Sequence, residues 1–349
     1  MQVDKNSNTM KVIQVISSNI PVLETGLRKW GAMELIQSEY QKHLIKQGIE
    51  CEIKWLNEVP TNENVIAHIH VSNLCLEAKE RGIPYIYSNH DHSSFYHGKG
   101  SWLYNQQLEA IKGSIFSICH AESVINFFNG TDKLFYLPHG VDTEYYTPSD
   151  AQKKTNELLM IANNGAVGDY SIDRKGFRLG VEAAKKLDLP ITIVGADANA
   201  RFFEIHSDLL QYDKLTVDSS NPTEDKKLEY LQTHKIFLHP SSCEFGAPNI
   251  TLLESWACGL PIVGSYDGSR HIEGLQVLKA LEVDEICSKI EFVYDNYEDI
   301  RAKMLIDKKK HDWSTIVGYL KKMYEAYELV GVQNTSDEVK SKYLNIYNK

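Results

Sequence analysis

Residues 239–265, HPSSCEFGAPNITLLESWACGLPIVGS, hold the residue types and spacing best suited to chemistry in this chain. An apolar run closes at Pro240, a loop with Glu244 and Gly246 follows, and a helical stretch begins near Asn249. Asn is a favoured N-cap residue. The backbone N–H groups of Ile250, Thr251 and Leu252 then form an anion site at the helix start, suited to a diphosphate. Glu254 lies one turn further on, where its carboxylate can accept hydrogen bonds from a ribose diol. Leu252, Leu253 and Trp256 read as core, and Gly259 as the helix stop.

A second cationic candidate is the run DRKGF (173–177), with Arg174 and Lys175 at a helix start. Cations there oppose the helix dipole, which favours a bound anion as their reason, although both can also be ordinary surface charges. Gly26 and Gly31 follow the first apolar run, where each lets a backbone approach a phosphate or sugar, or simply makes a turn. The histidines His68, His70, His90, His92 and His97 raise a metal site, since an HxH pair on a strand puts both rings on one face. No HExxH and no DxD completes such a site, so no metal is expected. The usual GxGxxG phosphate turn of a dinucleotide oxidoreductase is also missing.

Elements that would position these residues alternate along nearly the whole chain. The apolar runs at 11–17, 51–56, 65–71, 84–88, 114–120 and 133–139 read as strands, with helical stretches before most of them. Met33, Ile36, Tyr40 and Leu44 mark one helix face, closed by Gly48. The polar stretch 143–156 reads as a linker. The pattern then restarts with strands ELLMIAN, PITIVGA, KLTVD, KIFLHPS and PIVGSY, and helices among them, one beginning at Arg201. Such alternation calls for parallel sheets covered on both faces, with ligands beyond the carboxyl ends of the strands. The expected fold is therefore α/β, with two doubly wound Rossmann-like domains whose strand ends face a central cleft. Expected boundaries are 1–145 and 156–311, a closing helix at 312–330 that packs back on the first domain, and a peripheral tail at 331–349.

The chain's 349 residues, 42% of them hydrophobic, can build two cores. Net charge is −10, shared equally between the halves, which disfavours a nucleic-acid partner. No run approaches a membrane span, and the start of the sequence has no signal-peptide core. Six scattered cysteines without a CxxC pair suit a reducing, cytoplasmic setting.

The string E…PN…LLE…A.G.PIVG resembles the donor-site signature of glycosyltransferase family 4, retaining nucleotide-sugar enzymes of the GT-B fold. The family's two glutamates correspond to Glu244 and Glu254, with nine residues between them here where most members have seven. LPHGVD (137–142) resembles the end of that family's first domain, and DRKGF the KG that opens the first helix of its second. YSNHDH resembles the place of its active-site histidine, here His90, and 313–327 its closing helix. Members usually carry an Arg about five residues before that Lys. Asp169 and Tyr170 stand there instead, so Arg174 is the candidate substitute.

The resemblance implies a retaining transfer from a nucleoside diphosphate sugar to a hydroxyl acceptor: a glycan, a lipid-linked sugar or another hydroxyl compound. UDP is favoured over GDP, the sugar nucleotide is a substrate, and neither cofactor nor metal is expected. Lys175, Arg174 and the helix start at Ile250–Leu252 would neutralise the diphosphate. Glu254 would hold the ribose, and Glu244 with the N–H groups of Phe245 and Gly246 would orient the sugar. His90 and the Gly31 loop would approach the sugar and diphosphate from the first domain. Tyr87, Phe95, Tyr96, His97, Trp102 and Tyr104 form either a sugar-stacking wall or core and lid. An epimerase of similar fold and a non-catalytic sugar-nucleotide binder are the alternatives.

Overall fold

A computed structural model describes residues 11–16, 32–61, 65–90, 93–128, 131, 133–149, 157–162, 173–195, 203–204, 206–220, 222–242, 249–265 and 272–330. The chain divides into two compact units. One comprises Met1–His139 with Trp313–Lys349, and the other Gly140–Asp312.

Among the described residues, the first unit holds a six-stranded parallel sheet: β1 (Lys11–Ile16), β2 (Glu50–Trp55), β3 (Val65–Ile69), β4 (Tyr85–Asn89), β5 (Ser117–Cys119) and β6 (Leu134–Tyr136). Their order is β2-β1-β3-β4-β5-β6, so the chain reverses its direction of travel across the sheet between β1 and β3. Strand ends beside such a switch point leave room for a ligand. Gln14 of β1 lies in register with His68 of β3. Helix α1 (Ala32–Lys46) buries Ile36, Tyr40 and Leu44, the stripe its sequence spacing gives. Along the chain follow α2 (Ser72–Glu80), α3 (Ser93–His97), α4 (Trp102–Gly113) and α5 (Glu122–Phe127).

The second unit repeats the scheme with β7 (Leu158–Ile161), β8 (Ile191–Val194), β9 (Leu215–Asp218), β10 (Ile236–His239), β11 (Ile262–Gly264) and β12 (Leu275–Val277). The order β12-β11-β10-β7-β8-β9 is that of a dinucleotide-binding sheet, with the switch point between β7 and β10. Strand β12 has no counterpart in the sequence reading, since LQV is too short and half-buried to stand out. Its helices are α6 (Phe177–Leu187), α7 (Glu224–Thr233), α8 (Ile250–Ala257), α9 (Val283–Asp295) and α10 (Tyr297–Met304). The helix expected from Arg201 falls mostly outside the described residues, and Ser207–Gln211 form a 3₁₀ turn. Trp256, Phe177, Phe237 and Ile290 lie at the centre of this unit's core.

Residues 143–149 belong to the second unit, where Tyr146 packs into the core. Val141 pairs with Asp312, and the Thr143 hydroxyl donates to the Asp312 carboxylate at 2.6 Å, so the entry and exit of this unit lie side by side. The last helix, α11 (Trp313–Val330), is part of the first unit. It buries Ile316, Val317, Leu320 and Tyr324, and Trp313 meets Tyr40 of α1 edge-on. Lys321 Nζ donates to the Gln47 carbonyl at 2.7 Å, which closes the end of α1.

Candidate functional site

In the second unit, three segments converge at the exit of β10. The turn before α6 contains Arg174, Lys175 and Gly176. The carbonyl of Arg174 accepts the Ser242 N–H at 2.9 Å and the Ser241 hydroxyl at 3.0 Å, so this turn is stitched to the residues that leave β10. Gly176 has φ of 72°, and a Cβ there would collide with the Pro240 carbonyl oxygen. Only glycine meets both conditions without strain. Asp173 supplies what the sequence reading omits: its carboxylate accepts the N–H groups of Phe177 at 2.7 Å and Arg178 at 2.9 Å. Burial raises its pKa, against the pull of those two backbone donors.

Lys175 is 8% exposed. An exposed helix start, as the sequence suggests, would leave this lysine in solvent. Instead it is buried, next to the Gly176 turn that packs closely on Pro240. Arg174 is half-buried.

The start of α8 is built as Asn249 predicts, with one change. The Asn249 side chain accepts the Leu252 N–H at 2.8 Å, while its Nδ2 donates to His239 Nε2 at 2.9 Å. Leu252 is thereby removed from the expected anion site, because its N–H is committed to the cap. The N–H groups of Ile250 and Thr251 have no hydrogen-bond partner among the described residues.

Glu254 is 1% exposed. Its Oε1 accepts from Lys227 Nζ at 2.7 Å, and Oε2 is buried with no hydrogen-bond partner among the described residues. Lys227 also meets Glu224 at 3.0 Å, and the Tyr146 hydroxyl donates to Glu224. Burial raises the Glu254 pKa, with Lys227 opposing. Burial also works to lower Lys227, but Glu254 and Glu224 outweigh it and its pKa is raised. One buried cation thus serves two carboxylates. Nothing in the run EDKKLEYLQT marks Lys227 as different from Lys226 beside it, which faces solvent.

In the first unit, His90 follows the end of β4 and is half-buried. Around it stands a column of imidazoles. His68 stacks on His70 at 4.6 Å, His70 and His90 lie edge to edge with nearly parallel planes and centroids 5.0 Å apart, and His90 stacks on His120 at 4.4 Å. His139 stacks on His120 at 3.8 Å. Burial holds His68 down at about 3 and His70 and His90 well below the ordinary value, and neighbouring histidines lower all three further. The rings are therefore neutral at physiological pH.

One ring nitrogen each of His90, His120 and His139 lies within 4.8 Å of the others, a grouping the sequence reading did not make. Two imidazoles on one zinc, each with nitrogen about 2.0–2.1 Å away, keep their centroids about 5 Å apart. The 3.8 Å face-to-face stack of His120 on His139 does not meet that condition. The arrangement suits ring stacking better than a three-histidine ion site.

The aromatic group of the first unit divides. Tyr87 is core, Phe95 stacks on Phe127 at 4.1 Å, and Tyr104 stacks on Phe128 at 5.1 Å. Trp102 is 71% exposed, and His97 also faces solvent. Gly31, Glu244, Phe245 and Gly246, and the side chain of Tyr96, lie outside the described residues.

Residues 163–296 match the family model described as Glycosyl transferases group 1. This stretch, which lies wholly within the second unit, is similar to a group 1 glycosyltransferase domain. The glycosyltransferase as a whole has the fold of Anabaena Alr3699/HepE, solved in complex with UDP and glucose. That match has a TM-score of 0.66 and 13% identity, and covers 90% of this chain and 99% of that one. A glycosyltransferase from Rickettsia africae ESF-5 aligns with TM-score 0.64 and 14% identity over 94% of this chain and 100% of that chain. AviGT4, a glycosyltransferase involved in avilamycin A biosynthesis, gives TM-score 0.66 and 14% identity over 93% and 98%. The fold is GT-B, as the motif order implies. Comparison with curated proteins gives no match. No described helix is long and apolar enough to cross a membrane.

Proposed function

We propose that this glycosyltransferase moves a sugar from a nucleoside diphosphate donor to an acceptor hydroxyl with retention at the anomeric carbon and without a metal. The observation that carries the reading is the convergence of the Lys175 turn and the α8 start on the exit of β10, beside the switch point of a dinucleotide-type sheet. A buried lysine and the N–H groups of Ile250 and Thr251 are fixed charges and dipoles suited to a departing diphosphate. Arg174 adds a second cation beside them. Glu254, held by Lys227, keeps Oε2 for a ribose hydroxyl. Glu244, Phe245 and Gly246 orient the sugar, and His90 with Gly31 serves it from the first unit. In this reading the first unit receives the acceptor and the second the donor. The buried, unbridged Cys51, Cys75, Cys119, Cys258 and Cys287 support a reducing, cytoplasmic setting.

The base is uracil rather than guanine in this reading, a choice supported by the UDP bound in the Anabaena relative. A thermal-shift screen with UDP, GDP, NAD and sugar conjugates tests it. At a hundredfold excess over Kd a ligand adds about 2.7 kcal/mol, which moves Tm by roughly 5–10 °C in a chain of this size. A shift with UDP that shrinks in Glu254→Ala and persists in excess EDTA is expected. A shift with NAD and none with UDP or GDP refutes the assignment.

A further inference from the structure

The hydrogen bonds of the histidine column have a direction. The Tyr324 hydroxyl lies 2.7 Å from His68 Nδ1, and the Ser88 hydroxyl lies 2.7 Å from His68 Nε2. A phenol is the stronger donor, so Nδ1 accepts from Tyr324 and the His68 proton sits on Nε2, toward Ser88. The Gln14 amide nitrogen, 3.4 Å from the same Nδ1, faces an acceptor, as a donor must. Its amide oxygen therefore faces His70 Nε2, at 3.0 Å, and accepts that ring's N–H. A neutral imidazole with its proton on Nε2 has a lone pair on Nδ1. His70 Nδ1 lies 2.8 Å from His90 Nε2, which must then be the donor. In a neutral imidazole the bond made by one nitrogen decides what the other offers.

We infer that Gln14 and His70 are positioning residues that hold His90 as its Nε2–H tautomer, so that His90 presents the Nδ1 lone pair as an acceptor to a substrate hydroxyl. The inference rests on the proposed function for its catalytic consequence, and on the hydrogen-bond chain alone for the tautomer. Burial of Gln14, His68 and His70 keeps water from supplying other partners, and the lowered histidine pKa values keep the rings neutral. Tyr324 belongs to α11, so the polarity of His90 is set from the last described helix through β3 and β1. His120 is set independently: its Nδ1 donates to the Leu137 carbonyl at 2.7 Å.

Nitrogen-15 histidine spectra of the full chain at pH 7.5 read the tautomers directly. His68, His70 and His90 should carry their protons on Nε2, and His120 on Nδ1. A His90 signal of the Nδ1–H form, or of the imidazolium, overturns the inference with no variant needed. Gln14→Glu then reverses the polarity at nearly constant shape. A carboxylate beside His70 favours its imidazolium, whose Nδ1–H would donate to His90 and move the His90 proton to Nδ1. Release of nucleoside diphosphate from the sugar donor should fall in kcat by about tenfold or more, with KM and free UDP affinity unchanged. Gln14→Met, which removes the amide without adding charge, should give mixed His90 tautomers and an intermediate kcat. A lowered kcat with the wild-type tautomer pattern would mean a merely structural role and overturn the inference, as would a reversed tautomer with full kcat. His90→Ala with full activity would instead overturn the functional reading, and the spectra would still decide the tautomer.

Discussion

Acid should unfold the first unit at a pH where its carboxylates are still ionised. His68 and His70 are fully buried and neutral, held far below the ordinary imidazole pKa by burial. In the unfolded chain each titrates near 6.5. The unfolded state therefore binds protons that the folded state does not, so stability present above pH 6.5 is lost as pH falls. At pH 5 each such group costs RT ln(1 + 10^1.5), about 2 kcal/mol, and the pair about 4 kcal/mol. His90 adds in the same direction. Glu39 and Glu52, held low by His43 and Lys11 respectively, lose their contribution only below the ordinary carboxylate range, so the window from pH 6.5 to 5 belongs to the imidazoles. About 4 kcal/mol is a large part of a domain's stability. Urea titrations at pH 7.5, 6 and 5, with hydrogen exchange resolved to peptides, would measure the loss and place it within 65–90. Equal stability at pH 7.5 and 5, or a slope below one proton per molecule, refutes the account of a neutral histidine core.

Lys175→Ala should lower kcat/KM by roughly a hundredfold, the worth of one charge-assisted phosphate contact, and near wild-type kinetics would remove it from the site. Gly176→Ala combines a left-handed backbone with a collision on Pro240. It should cost about 2 kcal/mol and lower Tm by roughly 4–8 °C in a calorimetric scan. Lys227→Met leaves two carboxylates facing each other beneath Tyr146 and should destabilise by about 3–5 kcal/mol in urea unfolding. Glu254→Gln added to Lys227→Met should recover most of that loss, and no recovery would show that Lys227 matters through packing rather than charge.

The strands that turn towards the core on both faces were legible because parallel sheets demand continuous apolar runs, and KVIQVI and IFLH have no other use. Helix α1 was legible from its stripe, and α8 from Asn249 and the apolar positions behind it. Strand β12 was not, because three half-buried residues give no period. At the site, the residue types were readable and their partners were not. Asn249 reads as a cap, but which N–H it takes decides whether Leu252 is available. Glu254 reads as a ligand, but Lys227 reaches it from a different helix 27 positions earlier, and no local pattern encodes that meeting. Lys175 reads as a surface charge at a helix start, and its burial is a tertiary fact that no local pattern encodes. Gln14 is visible in the sequence as an amide in the middle of the apolar run KVIQVIS, but the pattern does not say which rings it meets.

The first unit is finished late in synthesis. Its sheet is encoded before residue 140, yet the helix that covers Tyr40 and supplies Tyr324 begins at Trp313, after the whole second unit has been made. At roughly 5–20 residues per second, that interval lasts on the order of 10–35 s. During it the seat of α11 stays bare, and His68 has Ser88 and Gln14 but no phenol. A ribosome-bound chain thus carries the apolar positions that α11 covers unpartnered through half its elongation. The second unit, whose ends meet at Val141 and Asp312, can close as soon as it emerges. The order of folding is then inverted relative to the order of translation: the unit begun first is the one completed last.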